Sequence, residues 1–491
     1  MSLSRKIAHN TLVQMVGKII STALGLFSLA LITRYLGQEG FGDYTTIITY
    51  LTIFAVVADF GLTLVTVQMI SPIKDREEES RILGNLFGFR IVSVLVFIAL
   101  APLVLMVMPY SQAVKLGVLI AAPYFIFPAL IQVIIGLLQK KLSMDRAALA
   151  EVLSRIVLVL AVVAAWKYNW GLNGILIATV ASGAASFILH YYLARKFTSL
   201  KPRWEKAVWR EIVIRSWPLA VTVVLNLIYL RADIIFLSLF KSSAEVGLYG
   251  AAYKVVDVLT TLPFMFAGLI LPILTTSWME GRKEYFGKVM QKSFDFMAII
   301  AIPLIVGGQL LSKPVMVAVA GSDFQESGPV LGLLIIAVAA IFLGTMFSHA
   351  VIALDKQKKL IGFYAFTSFS SLAAYYFLVP RFSYFGAAAV TIYSELLIAI
   401  FSVYCVFKYS SFLPSLKTTG KSLLASLAMG AAIYFSPIQA DKTIFHLILV
   451  IILATVLYLL LLLVFKGIKL KDLRALSKKS SGSQTYGSGN I

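Results

Sequence analysis

Residues 34–59 read RYLGQEGFGDYTTIITYLTIFAVVAD and join two long apolar segments through a short polar turn. The turn recurs about two hundred residues later, again between two apolar segments. Gly40-Phe41-Gly42-Asp43-Tyr44 corresponds to Glu245-Val246-Gly247-Leu248-Tyr249, which is an offset of 205 residues. Such an echo is typical of membrane proteins built from two structural repeats.

A second motif repeats at nearly the same distance. Gly174, Thr179 and Ser182 in GILIATVAS recur, at an offset of 212 residues, in GAAAVTIYS as Gly386, Thr391 and Ser394. Each match alone is weak, because Gly, Thr and Ser are frequent in membrane helices. Two matches at nearly one offset predict two halves of six helical segments each.

Composition places the chain in a membrane. Of its 491 residues, 59% are hydrophobic and 13% are charged, whereas soluble proteins average about 25% charged residues. About 20 apolar residues of helix cross the hydrocarbon layer. Several windows of that length contain no acidic or basic residue, among them residues 91–114, 116–139 and 327–354. The predicted fold class is therefore an all-α polytopic membrane protein with about fourteen transmembrane helices.

The basic residues predict the orientation. An even number of spans places both termini on one face, and 30 of the 43 Lys and Arg residues fall on that face. The opposite face has seven: Arg34, Lys115, Lys167, Lys241, Lys313, Arg381 and Lys442. Because Lys and Arg are enriched in cytoplasmic connections, both termini are predicted to be cytoplasmic, in the cytoplasmic (inner) membrane. This topology also accounts for the net charge of +20 without a nucleic-acid partner.

The duplication predicts the domain organisation. Residues 1–200 form an N-lobe with helices one to six, and residues 201–410 form a C-lobe with helices seven to twelve. Residues 411–466 add two further helices outside the duplication. Residues 467–491 form a basic cytoplasmic tail that ends in the composition of a flexible segment.

The sequence argues against enzymatic chemistry. No connection is long enough for a separate catalytic domain, and no Asp-x-Asp motif occurs. The four histidines lack the spacing of metal ligands; they are His9, His190, His349 and His446. Gly420-Lys421-Ser422 resembles the end of a P-loop, but Ser415 stands where the first glycine belongs. We therefore predict no enzymatic activity, no catalytic residue, no metal and no cofactor.

Ionisable residues inside the predicted spans are the best site candidates. A charge in hydrocarbon costs at least about 2.5 kcal/mol, so such residues normally face a protein interior or a water-filled cavity. The basic candidates are Lys18, Arg34, Arg90, Arg231 and Lys254, and the acidic candidates are Asp59, Asp233 and Asp257. Snorkelling to the headgroups is the alternative for Lys18 and Arg34. Arg231 and Asp233 are two residues apart, on different faces of a helix, and need different partners.

Two other pairs have a spacing that allows contact along one helix. Lys254 and Asp257 are three residues apart, which leaves a structural ion pair as the alternative to a role in binding. Glu151 and Arg155 are four residues apart, and we expect them to pair near the cytoplasmic face.

Several of these residues lie in motifs that resemble the Wzx-like flippases, the polysaccharide transporter branch of the multidrug/oligosaccharidyl-lipid/polysaccharide exporter superfamily. The matching pieces are RYLGQEGFGDY (34–44), ADFGL (58–62), RADII (231–235), EVGLYGAAYKV (245–255) and YFGAAAVTIYSE (384–395). The resemblance runs nearly end to end. It implies two pseudo-symmetric six-helix lobes around a central cavity, two additional C-terminal helices and alternating access. It also implies a substrate, a polyprenyl-pyrophosphate-linked oligosaccharide flipped to the outer leaflet for surface polysaccharide biosynthesis.

The same resemblance suggests roles for the embedded charges. The five cations would bind the pyrophosphate, and the three aspartates would bind a coupling H+ or Na+ or neutralise the cations. We expect a monomer in the lipid bilayer, with polysaccharide assembly proteins as further partners. The alternatives are a cation-coupled multidrug exporter, a lipid II flippase, and a membrane glycan polymerase or ligase.

Overall fold

The computed structural model describes residues 3–436 and 443–468, and every regular element in these ranges is a helix. The α-helices are α1 (Leu3–Asp59), α2 (Leu62–Ile70), α3 (Arg76–Met106), α4 (Gln112–Ala121), α5 (Ile126–Lys140), α6 (Met144–Lys167), α7 (Gly171–Ala194), α8 (Lys206–Phe240), α9 (Ser243–Met279), α10 (Lys283–Ala320), α11 (Ser327–Ala353), α12 (Gln357–Ser410), α13 (Lys417–Tyr434) and α14 (Ile444–Val464). Lys442 and nearly all of the predicted tail, residues 469–491, lie outside the described residues.

Ten helical segments of the described ranges are long and apolar enough to cross a membrane. The predicted fold class, an all-α polytopic membrane protein, is therefore confirmed. Two of the ten are kinked helices: α1 bends at Gly37, where φ is 65°, and α12 bends at Ser383, where φ is 51°. A third segment runs from Gln112 to Lys140 through α4, a 3₁₀ turn and α5. The number of fourteen spans stays a prediction.

The second predicted span is interrupted in the structure. α1 ends at Asp59, and α2 begins at Leu62 after two residues with positive φ, Phe60 at 50° and Gly61 at 73°. Glycine adopts this left-handed conformation at no steric cost, whereas a phenylalanine there is strained. The break leaves backbone groups without their helical partners, and a buried side chain satisfies one of them, as described below.

The described residues fall into two compact units. The first unit comprises three segments, the described part of Met1–Val258, Met316–Leu334 and Lys358–Ile398. One of its buried apolar clusters includes Leu83, Leu137 and, from the connection after α7 and the start of α8, Leu200 and Ile212. That connection is therefore packed within the core of the first unit. The predicted boundaries at residues 200 and 410 stay predictions.

The second unit comprises Leu259–Val315, Ile335–Gln357 and the described part of Ala399–Ile491. Its apolar cluster joins α13 and α14 through Met429 and Tyr458. The Tyr458 hydroxyl donates a hydrogen bond of 2.8 Å to the carbonyl of Ile299 and lies 2.7 Å from Oγ of Ser422. These bonds hold the two added helices against α10.

The duplicated turn produces a reciprocal contact inside the first unit. A Cβ atom on Gly42 would lie 1.7 Å from the carbonyl oxygen of Ser243, and one on Gly247 would lie 2.1 Å from that of Gln38. The offset of 205 residues relates Gln38 to Ser243 and Gly42 to Gly247. The two contacts are thus the same contact with the repeats exchanged, as across a twofold axis. Only glycine allows the two backbones to approach this closely.

Candidate functional site

A small polar cavity lies between α1, α8 and α9 within the first unit. It is lined by Tyr44, Thr45, Ile48 and Thr49 of α1, Arg231 and Ile234 of α8, and Gly250, Tyr253, Lys254 and Asp257 of α9. The cavity is partly open and its volume is about 10 Å³, which is room for about one water molecule. The cavity brings together two of the predicted cations and one predicted aspartate, and a larger ligand needs it to open.

Asp257 is shared by the two cations of the cavity. Its Oδ1 accepts a hydrogen bond of 3.0 Å from Nη2 of Arg231, and its Oδ2 lies 3.9 Å from Nζ of Lys254. The guanidinium of Arg231 also lies 5.1 Å from the ring centre of Tyr253, whose hydroxyl donates to the carbonyl of Leu230. The predicted Lys254–Asp257 pair is therefore present, but Arg231 is the nearer partner of the carboxylate. All three charged side chains are 30 to 40% exposed.

Asp233 has a separate set of partners, as its spacing from Arg231 predicts. It is fully buried and accepts hydrogen bonds of 2.7 Å from the Tyr249 hydroxyl and from the backbone N–H of Ile234. The Tyr249 hydroxyl also lies 3.2 Å from Oγ1 of Thr391, a residue of the second repeated motif. The prediction of different partners is confirmed.

The same tyrosine and threonine meet in the other repeat. Tyr44 corresponds to Tyr249 and Thr179 corresponds to Thr391, and Thr179 lies within interacting distance of the Tyr44 hydroxyl. The two repeated motifs of the sequence are therefore in contact with each other in each repeat. The aspartate at 233 has no counterpart, because Ser28 stands at the corresponding position of the first repeat.

Arg90 and Asp59 pair with each other at the break after α1. Arg90 is 1% exposed, and its guanidinium binds the Asp59 carboxylate, the Asp59 carbonyl at 3.0 Å and the Ala129 carbonyl at 2.8 Å. Thr63 donates a hydrogen bond of 2.7 Å to the same carboxylate. Arg90 thus supplies a partner for backbone freed by the break. Neither charge lines the cavity.

Arg34 lies elsewhere in the first unit, at the C-terminal end of α10. Its guanidinium donates to the carbonyls of Val317, Ala318 and Val319 at 3.0 to 3.4 Å, directly before Gly321, where φ is 106°. The last carbonyls of a helix lack intrahelical partners, and a cation there also complements the helix dipole. The structure places Arg34 as a helix cap rather than in the cavity.

Lys18 pairs with Glu151 of α6. The distance from Nζ to Oε1 is 3.3 Å, and Ser21 donates to the same oxygen at 2.8 Å. The predicted pairing of Glu151 with Arg155 is therefore wrong, because a residue of another helix takes the carboxylate. Arg155 instead lies within electrostatic range of both Tyr44 and Lys254.

Arg155 is the charge near the cavity that the sequence analysis missed. Its position in the apolar segment of α6 could have identified it as a site candidate. Glu151, four positions away, indicated a structural ion pair instead. The arrangement as a whole is suited to binding an anion, because two cations and one carboxylate line the cavity and a third cation, Arg155, lies within electrostatic range of Lys254. Within the part of the chain that the structure describes, no group of three His, Cys, Asp or Glu side chains is placed to hold a metal ion.

Comparison with known proteins identifies relatives of this chain. A protein of Shigella flexneri named "Putative O-antigen transporter" is 24% identical over 402 residues, which are 78% of this chain and 93% of that protein. The "Probable low-salt glycan biosynthesis flippase Agl15" of Haloferax volcanii is 22% identical and covers 67% of this chain and 68% of its own length. Both names denote transport rather than catalysis.

The fold is that of a solved membrane transporter. The structure titled "Lipid II flippase MurJ, inward closed conformation" matches 94% of this chain and all of its own chain, with a TM-score of 0.77 and 18% identity. Residues 7–278, more than half of the chain, match the family described as polysaccharide biosynthesis protein. The chain is therefore a member of the polysaccharide biosynthesis protein family.

Proposed function

We propose that the chain is a flippase that moves a polyprenyl-pyrophosphate-linked oligosaccharide from the cytoplasmic to the outer leaflet by alternating access. The family and the names of both relatives support this class of function. The product would be the outward-facing precursor of a surface polysaccharide. The chain would work as a monomer in the cytoplasmic membrane with both termini in the cytoplasm, beside polysaccharide assembly proteins.

The observation that carries the proposal is the cavity with Arg231 and Lys254 in its wall. A pyrophosphate and a glycan expose many polar groups, and each would lose its hydrogen bonds in hydrocarbon. Cations in a hydrated cavity hold such a headgroup by charge-assisted hydrogen bonds while the lipid tail stays in the bilayer. A drug exporter for cationic compounds would instead place unpaired carboxylates in the wall.

We infer that the return step is coupled to H+ or Na+ at Asp233. Its carboxylate is held by neutral donors, the Tyr249 hydroxyl and a backbone N–H. The other two predicted aspartates are bound by cations: Asp59 by Arg90, and Asp257 by Arg231 and Lys254. Among the described residues Asp233 makes no ion pair, although Arg231 lies within electrostatic range of it. Proton or sodium binding there would therefore remove a buried charge that is only partly compensated.

Reconstitution tests the function directly. The purified chain would be placed in liposomes with a labelled polyprenyl-pyrophosphate oligosaccharide, and a soluble glycosidase would report which leaflet holds the glycan. Protein-dependent movement that responds to an imposed H+ or Na+ gradient supports the proposal. Movement of lipid II alone, efflux of cationic drugs alone, or formation of a longer glycan would favour one of the three alternatives.

A further inference from the structure

We propose that Asp257 is an internal counter-anion that occupies the substrate's anionic position and is displaced when the pyrophosphate binds. The inference rests on the proposed function, because it takes Arg231 and Lys254 as the residues that bind the pyrophosphate. It makes Asp257 a residue that determines affinity and release rather than a carrier of the coupling ion.

The position of the carboxylate is the first argument. Its two oxygens face two cations from different helices, Oδ1 toward Arg231 of α8 and Oδ2 toward Lys254 of α9. Two oxygens of a pyrophosphate would need the same two donors. Arginine and lysine both bind phosphate readily, arginine often through two parallel hydrogen bonds. Asp257 and the substrate anion therefore compete for one set of donors.

The second argument is that the carboxylate can be exchanged. Asp257 lines the cavity and its side chain is 35% exposed, so water can replace the contacts that it gives up. A partly exposed ion pair contributes little net stability. Asp233 is different, because it is fully buried and bound to Tyr249 and to the backbone.

The third argument is the charge around the cavity. Arg231 and Lys254 line the wall with a single carboxylate, Asp257, and Arg155 lies within electrostatic range of Lys254. Without any anion these positive charges would repel one another, and uncompensated charge within a membrane-spanning bundle is costly. Asp257 offsets part of that cost when the site is empty. When the substrate leaves, the carboxylate returns to the cations and thereby opposes rebinding.

The fourth argument is space. The cavity volume of about 10 Å³ leaves no room for a pyrophosphate beside the carboxylate in the arrangement that the structure shows. Binding of the headgroup therefore requires both a wider cavity and the departure of Asp257 from Arg231 and Lys254.

Ligand binding by the full-length protein in detergent tests this inference. The probe is farnesyl pyrophosphate, with farnesol as the uncharged control. Asp257→Asn removes the competing charge and should bind farnesyl pyrophosphate about tenfold more tightly than the wild type, with farnesol unchanged. The gain should shrink in the double variant Arg231→Gln with Asp257→Asn, because the two residues act on one interaction.

Two further variants keep the test decisive. Asp295→Asn changes a carboxylate of α10 that pairs with Gln291, and its affinity should equal that of the wild type. Asp257→Ser replaces Asp257→Asn if the asparagine variant has a lowered unfolding temperature. If the folded Asp257 variant binds farnesyl pyrophosphate no more tightly than the wild type, while Arg231→Gln alone binds it more weakly, the counter-anion role of Asp257 is wrong. The proposed function is then not affected. A wild type that does not prefer farnesyl pyrophosphate to farnesol would instead count against the proposed function.

Discussion

Nη2 of Arg231 donates a hydrogen bond of 3.0 Å to Oδ1 of Asp257, which joins α8 to α9 at the wall of the cavity between α1, α8 and α9. The pair links two residues that are 26 positions apart. It places a guanidinium where an anionic headgroup would need one.

Arg231→Ala and Lys254→Ala should each reduce glycan export about tenfold or more at normal protein abundance, because each removes a cation that would bind the pyrophosphate. The measurement is surface glycan in a complemented deletion strain, normalised to protein level by immunoblot. Arg282→Ala is the matched control, since that arginine is more than half exposed and pairs with Glu280. Full export by both cavity variants at equal abundance would remove them from the site.

Arg90→Met should lower stability rather than transport alone. It leaves the Asp59 carboxylate and the Ala129 carbonyl without their charged donor, and removal of one partner from a buried ion pair costs about 3 kcal/mol or more. The expected result is a lower unfolding temperature and lower abundance. The double variant Arg90→Met with Asp59→Asn should recover part of the loss. Normal abundance with lost export would show that Arg90 binds substrate, as the sequence analysis predicts.

Gly247→Ala should destabilise the contact between the two repeats. The added Cβ would meet the Gln38 carbonyl oxygen at 2.1 Å, which forces two backbones apart. Overpacking of this kind costs about 1–3 kcal/mol and should appear as a lower unfolding temperature in detergent. Gly25→Ala is the control, because its Cβ meets no atom of the described residues within 4 Å. Equal changes of the unfolding temperature in Gly247→Ala and Gly25→Ala would contradict the close approach of the two backbones.

Acid should loosen the connection between α7 and α8. Hydrogen bonds from Arg81 and Asn85 hold the pKa of Glu205 below its usual value. A lowered pKa means that the contribution of Glu205 to stability is present above the unfolded pKa and is lost as pH falls through the folded value. Glu205→Gln should therefore lower the unfolding temperature at pH 7 and have a smaller effect near pH 3. An effect that stays constant across this range would contradict the assignment.

Local spacing predicted some partners correctly and others wrongly, and the difference is physical. Residues two apart on a helix point to different faces, so the separation of Arg231 from Asp233 followed from geometry alone. The pairing of Glu151 with Arg155 also satisfied the spacing rule but is wrong, because the Glu151 carboxylate binds Lys18 and Ser21 of α1. A spacing rule describes one helix, whereas an embedded charge takes whichever partner the neighbouring helices supply.

The sequence by itself determined the membrane-spanning all-α class, the repeated turn and the embedded charges, because run length, offset and residue type are local properties of the chain. Only the tertiary structure decided that Arg90 binds at the break after Asp59, that Arg34 caps α10, and that Arg155 lies near Lys254. Those outcomes depend on which helices are adjacent and how deeply each side chain is buried. In hydrocarbon an unpaired charge is costly, so the packing of the helices decides which charges pair and which face the cavity.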